Sequence, residues 1–440
     1  MPASPADSAL YRGLFSDDEA QRLFSDSAEI RSMLLVEGAL ARVQGDTGQI
    51  PKDAAAFIDR ASREVQIDPA GLVDATAANG VAVPALLTAF RKAAEAPDMM
   101  QFVHWGATSQ DIMDTGLMLR LKRLLELFAI RLDNVLDNLA ALADETADLP
   151  MAGRTYGQVA TPTSFGAVVA AWGRPLLRWR DQMGALRDEC LCVSLSGAAG
   201  TSSAMGPSAP KIRADLAKAL DLADPGASWH SERDRIVRLS DWMAGVTGAL
   251  GKIGEDLILL AQTGQGEVTI SGAGSSSTMP QKQNPVGPSV LVALARQTSA
   301  HAGLIHDAAL HRQQRDGSAW FTEWLTLPQI CVSTGKALAL SADLAQRISP
   351  DPDAMLRGLD PDGLGLIYAE ALSFALAARM PRDKAQAQIK VLCAEARDTG
   401  TPLPDLIARD HAGITSSDTL GQAPTEARDF AAQVRRRRLG

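Results

Sequence analysis

One stretch constrains this chain more than any other. From Asp111 to Asp148 the apolar residues Leu117, Leu121, Leu124, Leu125, Phe128, Leu132, Val135, Leu136, Leu139 and Leu142 recur at steps of three and four. Gly116 is the sole glycine there, and Pro150 ends the pattern. That periodicity is the signature of one helix face. A helix of that length would extend ~55 Å, more than a compact single domain needs. Its natural setting is an extended bundle, and similar patterns follow at roughly 163–191, 232–264, 286–311 and 322–348. The spacing therefore predicts an all-α protein in three regions: an N-terminal helical region (1–110), a central long-helix bundle (111–350) and a C-terminal helical region (351–440). Segment 150–162 reads as a loop with Pro150, Gly153 and Pro162. Segments 194–207 and 264–285 read as Ser- and Gly-rich loops.

Composition agrees with helix over sheet. Aromatics are only 5% of the 440 residues, while Ala and Leu, which lose little on entering a helix, are abundant. A net charge of -9 argues against nucleic acid as a partner, since phosphate contacts need a basic face. The basic run Arg435–Arg438 reads as a solvated tail. The four cysteines, Cys190, Cys192, Cys331 and Cys393, form no C-x-x-C pair or zinc pattern, and free thiols fit a reducing compartment. No charged-then-apolar leader opens the chain, and no apolar run reaches the ~18 residues of a membrane span. The expected setting is the cytoplasm.

The most informative segment for chemistry is Ser275-Ser276-Ser277-Thr278-Met279-Pro280-Gln281-Lys282-Gln283-Asn284-Pro285. A glycine-rich approach leads into small hydroxyls, then a cation and an amide. Such a loop has the backbone freedom to close over a ligand. Lys282 and Asn284 suit a carboxylate, one by charge and one by hydrogen bonds. On composition alone, a flexible polar loop before a helix start at Pro285 explains the segment equally well.

The segment resembles the signature loop of the fumarase/aspartase superfamily, Gly-Ser-Ser-x-Met-Pro-x-Lys-x-Asn-Pro, and departs from it only at Ser275, where the pattern has Gly. Two more strips resemble that superfamily in its order. His104-Trp105-Gly106-Ala107-Thr108-Ser109-Gln110-Asp111 is similar to its His-x-Gly-x-Thr-Ser-x-Asp strip, and Gly153-Arg154-Thr155-x-x-Gln158 to another. Taken alone, Thr108-Ser109-x-Asp111 reads as helix capping. The resemblance runs over most of the chain, including Glu37-Gly38-Ala39-Leu40-Ala41.

The resemblance implies a catalytic serine at Ser276, exchanging a proton with a substrate carbon. Lys282 would hold the developing negative charge, and Ser277, Met279 and Asn284 would complete the loop's grip. His104, Thr108, Ser109, Thr155 and Gln158 would contact substrate from the other strips. It further implies a homotetramer with active sites shared between subunits, a small-molecule substrate and no metal or organic cofactor.

One departure narrows the chemistry. Many members read Gln-His-Ala where this chain reads Gln158-Val159-Ala160. That His works with the acid that protonates a departing water, ammonia or amine, and Val cannot. A carboxylate leaves, or attacks, already ionised at neutral pH, because its conjugate acid has a pKa of about 4. Lactonising a muconate fits, since one carboxylate adds across a double bond of its own molecule and a single proton is delivered. Ser228-Trp229-His230-Ser231-Glu232-Arg233-Asp234-Arg235, Arg315 and Trp320-x-x-Glu323-Trp324-x-x-Leu327-Pro328 resemble the muconate cycloisomerases of the superfamily. A tricarboxylate should meet several cations, with Arg154, Arg233, Arg235, Lys282 and Arg315 as candidates. His230, in a resembling segment beside a helix start, reads equally well as a binding residue or an ordinary one. Ion pairs with Asp234, Glu232 or Glu323 are the plain structural reading of Arg233 and Arg235. The competing functions are a lyase acting on a succinyl conjugate and a non-catalytic structural protein on the same scaffold. Of the other histidines, His301, His306, His311 and His411 read as ordinary surface or core residues.

Overall fold

The computed structural model describes residues 4–272, 274–275, 279, 281–415 and 420–439. The long apolar stripe is a single helix, Ser109–Glu145, and the other predicted stripes become Phe165–Asp181, Met183–Cys190, Asp234–Leu260, Val286–Ala308 and Gly317–Ala345. The protein is predominantly helical, as the periodicity requires. Leu121, Leu124, Phe128, Leu132, Val135, Leu136 and Leu139 are each at most 1% exposed. Burying such side chains contributes roughly 1.5–3 kcal/mol each, which is what fixes the helix in place.

The chain folds as two compact units that cut across the three sequence regions. The first unit takes residues 1–131, 179–248 and 293–339. Its core lies where the helices Asp26–Asp46 and Lys52–Glu64 meet Ala209–Leu220 and the start of Ser109–Glu145, with Met33, Leu40, Ile58, Phe90, Ile112, Ile212 and Trp320 buried together. Ser25 caps the first of these helices, its hydroxyl accepting from the backbone of Ala28.

The second unit takes residues 132–178, 249–292 and 340–440. Here the segment read as a loop is a two-stranded antiparallel hairpin, Pro150–Thr155 with Gln158–Ser164. Its turn, Tyr156-Gly157, has positive φ at both residues (52° and 75°), as a tight two-residue hairpin turn requires. The sequence signal was that dipeptide. The prolines at 150 and 162 masked it, since proline ordinarily argues against strand. Further along, Val268–Ile270 pairs with Ile348–Pro350, and Gly274–Ser275 with Gln283–Asn284. The C-terminal helices Arg382–Thr399 and Leu403–Asp410 enclose Leu372, Leu376, Ile389, Leu392 and Ile407.

The arginine run is also not a free tail. It ends the helix Ala423–Leu439, where Arg435 pairs with Asp144 at 2.5 Å, Arg437 with Asp133 at 2.7 Å, and Arg438 with Asp137. Arg428, on the same helix, reaches Asp148. Asp133, Asp137 and Asp144 are spaced by four and seven, so they share one side of the helix that carries the apolar stripe, and Asp148 follows just past its end. Phe430, on the same C-terminal helix, is 0% exposed.

That packing makes a sharp prediction. A Cβ on Gly173 would sit 2.0 Å from the Phe430 ring. Gly173→Ala should therefore lower the thermal midpoint, at a cost of about 1–3 kcal/mol for overpacking. An unchanged midpoint would mean that the C-terminal helix does not dock there.

Candidate active site

In the first unit the strip from His104 to Asp111 doubles back before entering the long helix. His104 and Gly106 both sit at positive φ (66° and 74°). Glycine suits the second position on both counts, since a Cβ there would also lie 2.8 Å from Met205. The reversal is pinned by Gln44, whose side chain donates to the Trp105 carbonyl at 2.7 Å.

Asp111 gathers the neighbouring segments around one carboxylate. That carboxylate is fully buried and accepts from the backbone N–H of Thr108 (3.0 Å), Ser196 (2.8 Å) and Gly197 (2.9 Å). It also accepts from the Ser194 hydroxyl (3.3 Å) and meets His230 Nε2 at 2.8 Å. The bond back to Thr108 is the reaching-back half of a capping box, so the helix-capping reading of this strip holds. The other bonds draw the Ser/Gly segment 194–197 and His230 onto the same carboxylate. His230 is 2% exposed, and its Nδ1 has no hydrogen-bond partner among the described residues.

His104 Nδ1 lies 2.7 Å from Glu37 Oε1, and the Glu37 side chain is fully buried. Burial of the ring opposes its protonation, but the Glu37 charge and hydrogen bond outweigh that, so His104 titrates above the ordinary 6.5. Thr108 and Ser109 are half-buried at the helix start.

Arg233 is placed differently from expectation. It donates from Nη1 to Asp114 (2.7 Å), from Nε to Glu323 (3.0 Å), and from Nη2 to both (3.2 and 2.6 Å), while stacking 4.7 Å from the Trp229 ring centre. Its side chain is 1% exposed. Burial alone would weaken its hold on the proton, and the two carboxylates reverse that. This fork is filled, and the plain ion-pair reading with Glu323 is the right one. Arg315, by contrast, is exposed, and among the described residues it is held at Nε by Gln110 Oε1 (2.7 Å) and at Nη2 by the Ala198 carbonyl (3.3 Å).

In the second unit the hairpin places Thr155 opposite Gln158, both exposed beside the turn. Arg154 does not extend outward with them. It forms a bidentate pair with the buried Glu267 (2.9 and 2.7 Å), which also accepts from Gln265. Arg154 and Val159 line a polar cavity of about 610 Å³ together with Gln262, Glu267, Arg357 and Asp360. The signature segment enters and leaves as paired backbone, Gly274 opposite Asn284 and Ser275 opposite Gln283. Lys282 donates its backbone N–H to the Met279 carbonyl at 2.9 Å, and its side chain is exposed with no ion-pair partner among the described residues. Ser276 and Ser277 lie outside the described residues. The supporting roles of Glu267, Asp114 and Gln110 were not found from sequence. An acidic residue a hundred positions from its arginine gives no local signal.

The chain has clear relatives among known proteins. Residues 4–299 match the lyase family. The chain is 38% identical to the 3-carboxy-cis,cis-muconate cycloisomerase of Pseudomonas putida over 88% of this chain and 93% of that one. It is 38% identical to the enzyme of the same name from Pseudomonas aeruginosa, over 88% and 85%. The crystal structure of 3-carboxy-cis,cis-muconate lactonizing enzyme from Pseudomonas putida superposes with a TM-score of 0.91 at 33% identity, over 98% of this chain and 99% of that one.

The His104–Glu37 pair has a definite pH signature. Because the pair raises the folded-state pKa, its contribution to stability is full below about 6.5 and is lost as pH rises through the higher folded value. In an NMR titration the His104 midpoint should lie above 6.5, and Glu37→Gln should lower it, since burial then meets only the weaker pull of Asp111. A midpoint indifferent to Glu37 would remove the pair.

Proposed function

We propose that this chain, which belongs to the lyase family and to the fumarase/aspartase superfamily, is a lactonising cycloisomerase. It converts 3-carboxy-cis,cis-muconate to 4-carboxymuconolactone in protocatechuate degradation. The observation that carries this reading is the joint likeness in sequence and fold to enzymes of that name, over nearly the whole of both chains.

The chemistry follows from the residues. One substrate carboxylate attacks a double-bond carbon of the same molecule, forming the ring C–O bond. The electron pair moves toward the neighbouring carboxylate, where it builds an enolate-like dianion. Ser276 delivers a proton to the adjacent carbon and recovers one from solvent. Lys282 and Asn284 stabilise the dianion, because charge placed where charge develops lowers the barrier most. Val159 is compatible with this reaction, since the attacking carboxylate carries no proton to be managed. With Arg154 and Arg233 committed to Glu267, Asp114 and Glu323, and Arg235 4.0 Å from Asp234, the candidate cations assigned to the remaining carboxylates are Lys282 and Arg315. His104, Thr108, Ser109, Thr155, Gln158, Ser277 and Met279 complete substrate binding. The working enzyme is a cytoplasmic homotetramer whose sites are shared between subunits.

The test is an ultraviolet assay of the purified protein with 3-carboxy-cis,cis-muconate. Loss of the conjugated diene is expected, falling by roughly 10²–10⁴-fold in Ser276→Ala, the usual worth of a positioned proton donor. Turnover of a succinyl conjugate in place of the muconate would make this a lyase, and full activity in Ser276→Ala would displace the proton donor.

A further inference from the structure

Gln110 occupies a position that the strip resemblance leaves free, yet it is fully buried and fully bonded. Its Nε2 donates to Asp114 Oδ2 at 3.2 Å and to the His230 carbonyl at 3.0 Å. Both partners are acceptors only, so they consume the two amide hydrogens and settle which way the amide faces. Oε1 must then point the other way, where it accepts from Arg315 Nε at 2.7 Å. The Ala198 carbonyl takes a second bond from Arg315, at Nη2 and 3.3 Å. Among the described residues the remaining N–H groups of this exposed guanidinium have no partner, which leaves them open for a carboxylate.

We infer that Gln110 is a positioning residue, holding the Arg315 guanidinium ready for a substrate carboxylate. The inference rests on the proposed function for its substrate. A long surface arginine samples many rotamers, and freezing it on binding weakens affinity. Gln110 does the freezing in advance, and its own anchor does not move. Asp114 is gripped by Arg233, which is gripped in turn by Glu323, so a continuous chain of bonds runs from Glu323 to Arg315 inside one compact unit. The chemistry also explains the residue type. Glutamate here would set a second carboxylate beside Asp114. A neutral amide is a donor to Asp114 and an acceptor for Arg315 at once. Arg233 thereby serves binding without touching substrate.

The experiment is a double-mutant cycle on KM for 3-carboxy-cis,cis-muconate, using the full chain. Arg315→Met should raise KM by about tenfold or more, the worth of a hydrogen bond between charged partners. Gln110→Met should raise KM in the same direction with kcat little changed, and the double variant should be no worse than Arg315→Met alone. Fully additive effects, or a wild-type KM in Gln110→Met, would overturn the positioning role and leave the proposed function standing. A wild-type KM in Arg315→Met would remove Arg315 from the site and the inference with it. No turnover by the wild-type protein would be a failure of the proposed function itself. If Gln110→Met does not fold, Arg315→Lys decides. Lysine keeps the charge but has no Nε–H for Gln110, so KM should stay raised, and restoration to wild type would overturn the inference.

Discussion

The buried carboxylate of Asp111 is the interaction on which the strip-bearing unit depends. A charge held out of water is tolerable only when its oxygens are satisfied, and Asp111 meets that demand with three backbone N–H groups, a hydroxyl and an imidazole. Those donors come from the helix start, from segment 194–197 and from the His230 loop. One electrostatic requirement thus converts distant, otherwise irregular stretches into a fixed arrangement. Because Asp111 sits in the first turn of the helix, the positive end of the helix dipole adds to its stabilisation.

Ion pairs on buried carboxylates repeat the logic one layer out. Arg233 between Asp114 and Glu323, and Arg154 on Glu267, are arginines whose forks are filled by the protein. Such pairs add little net stability over apolar packing, but removing one partner strands a charge and is costly, so they specify geometry. The division of labour among cations follows. The paired arginines shape the scaffold, and the exposed Arg315 and Lys282 keep N–H donors unengaged among the described residues.

The hairpin and the C-terminal ladder show where local reading falls short. Prolines at 150 and 162 stood against a strand, yet the turn at Tyr156-Gly157 outweighed them, and Pro162 is accommodated opposite Ala152, where the register shifts. The run Arg435–Arg438 looks like a solvated tail because nothing near it in the chain is complementary. Its partners lie about three hundred residues earlier, on a helix whose acidic face is unremarkable until the C-terminal helix lies along it.

What the sequence by itself determined is the class of the fold, the course of the long helices and the strips that resemble the superfamily's signatures. Helical periodicity, capping and a long signature string are local properties, and they survive without knowledge of contacts. The capping role of Thr108 and Asp111 was legible for the same reason. The tertiary structure alone decided which arginines are free. It also revealed that Gln110 bonds to Arg315, that Asp114 and Glu267 pair with Arg233 and Arg154, and that a segment with the composition of a loop is a hairpin. A side chain's role as ligand or ion-pair partner depends on which opposite charge is within reach, and that is a matter of distance in space, which spacing along the chain does not encode.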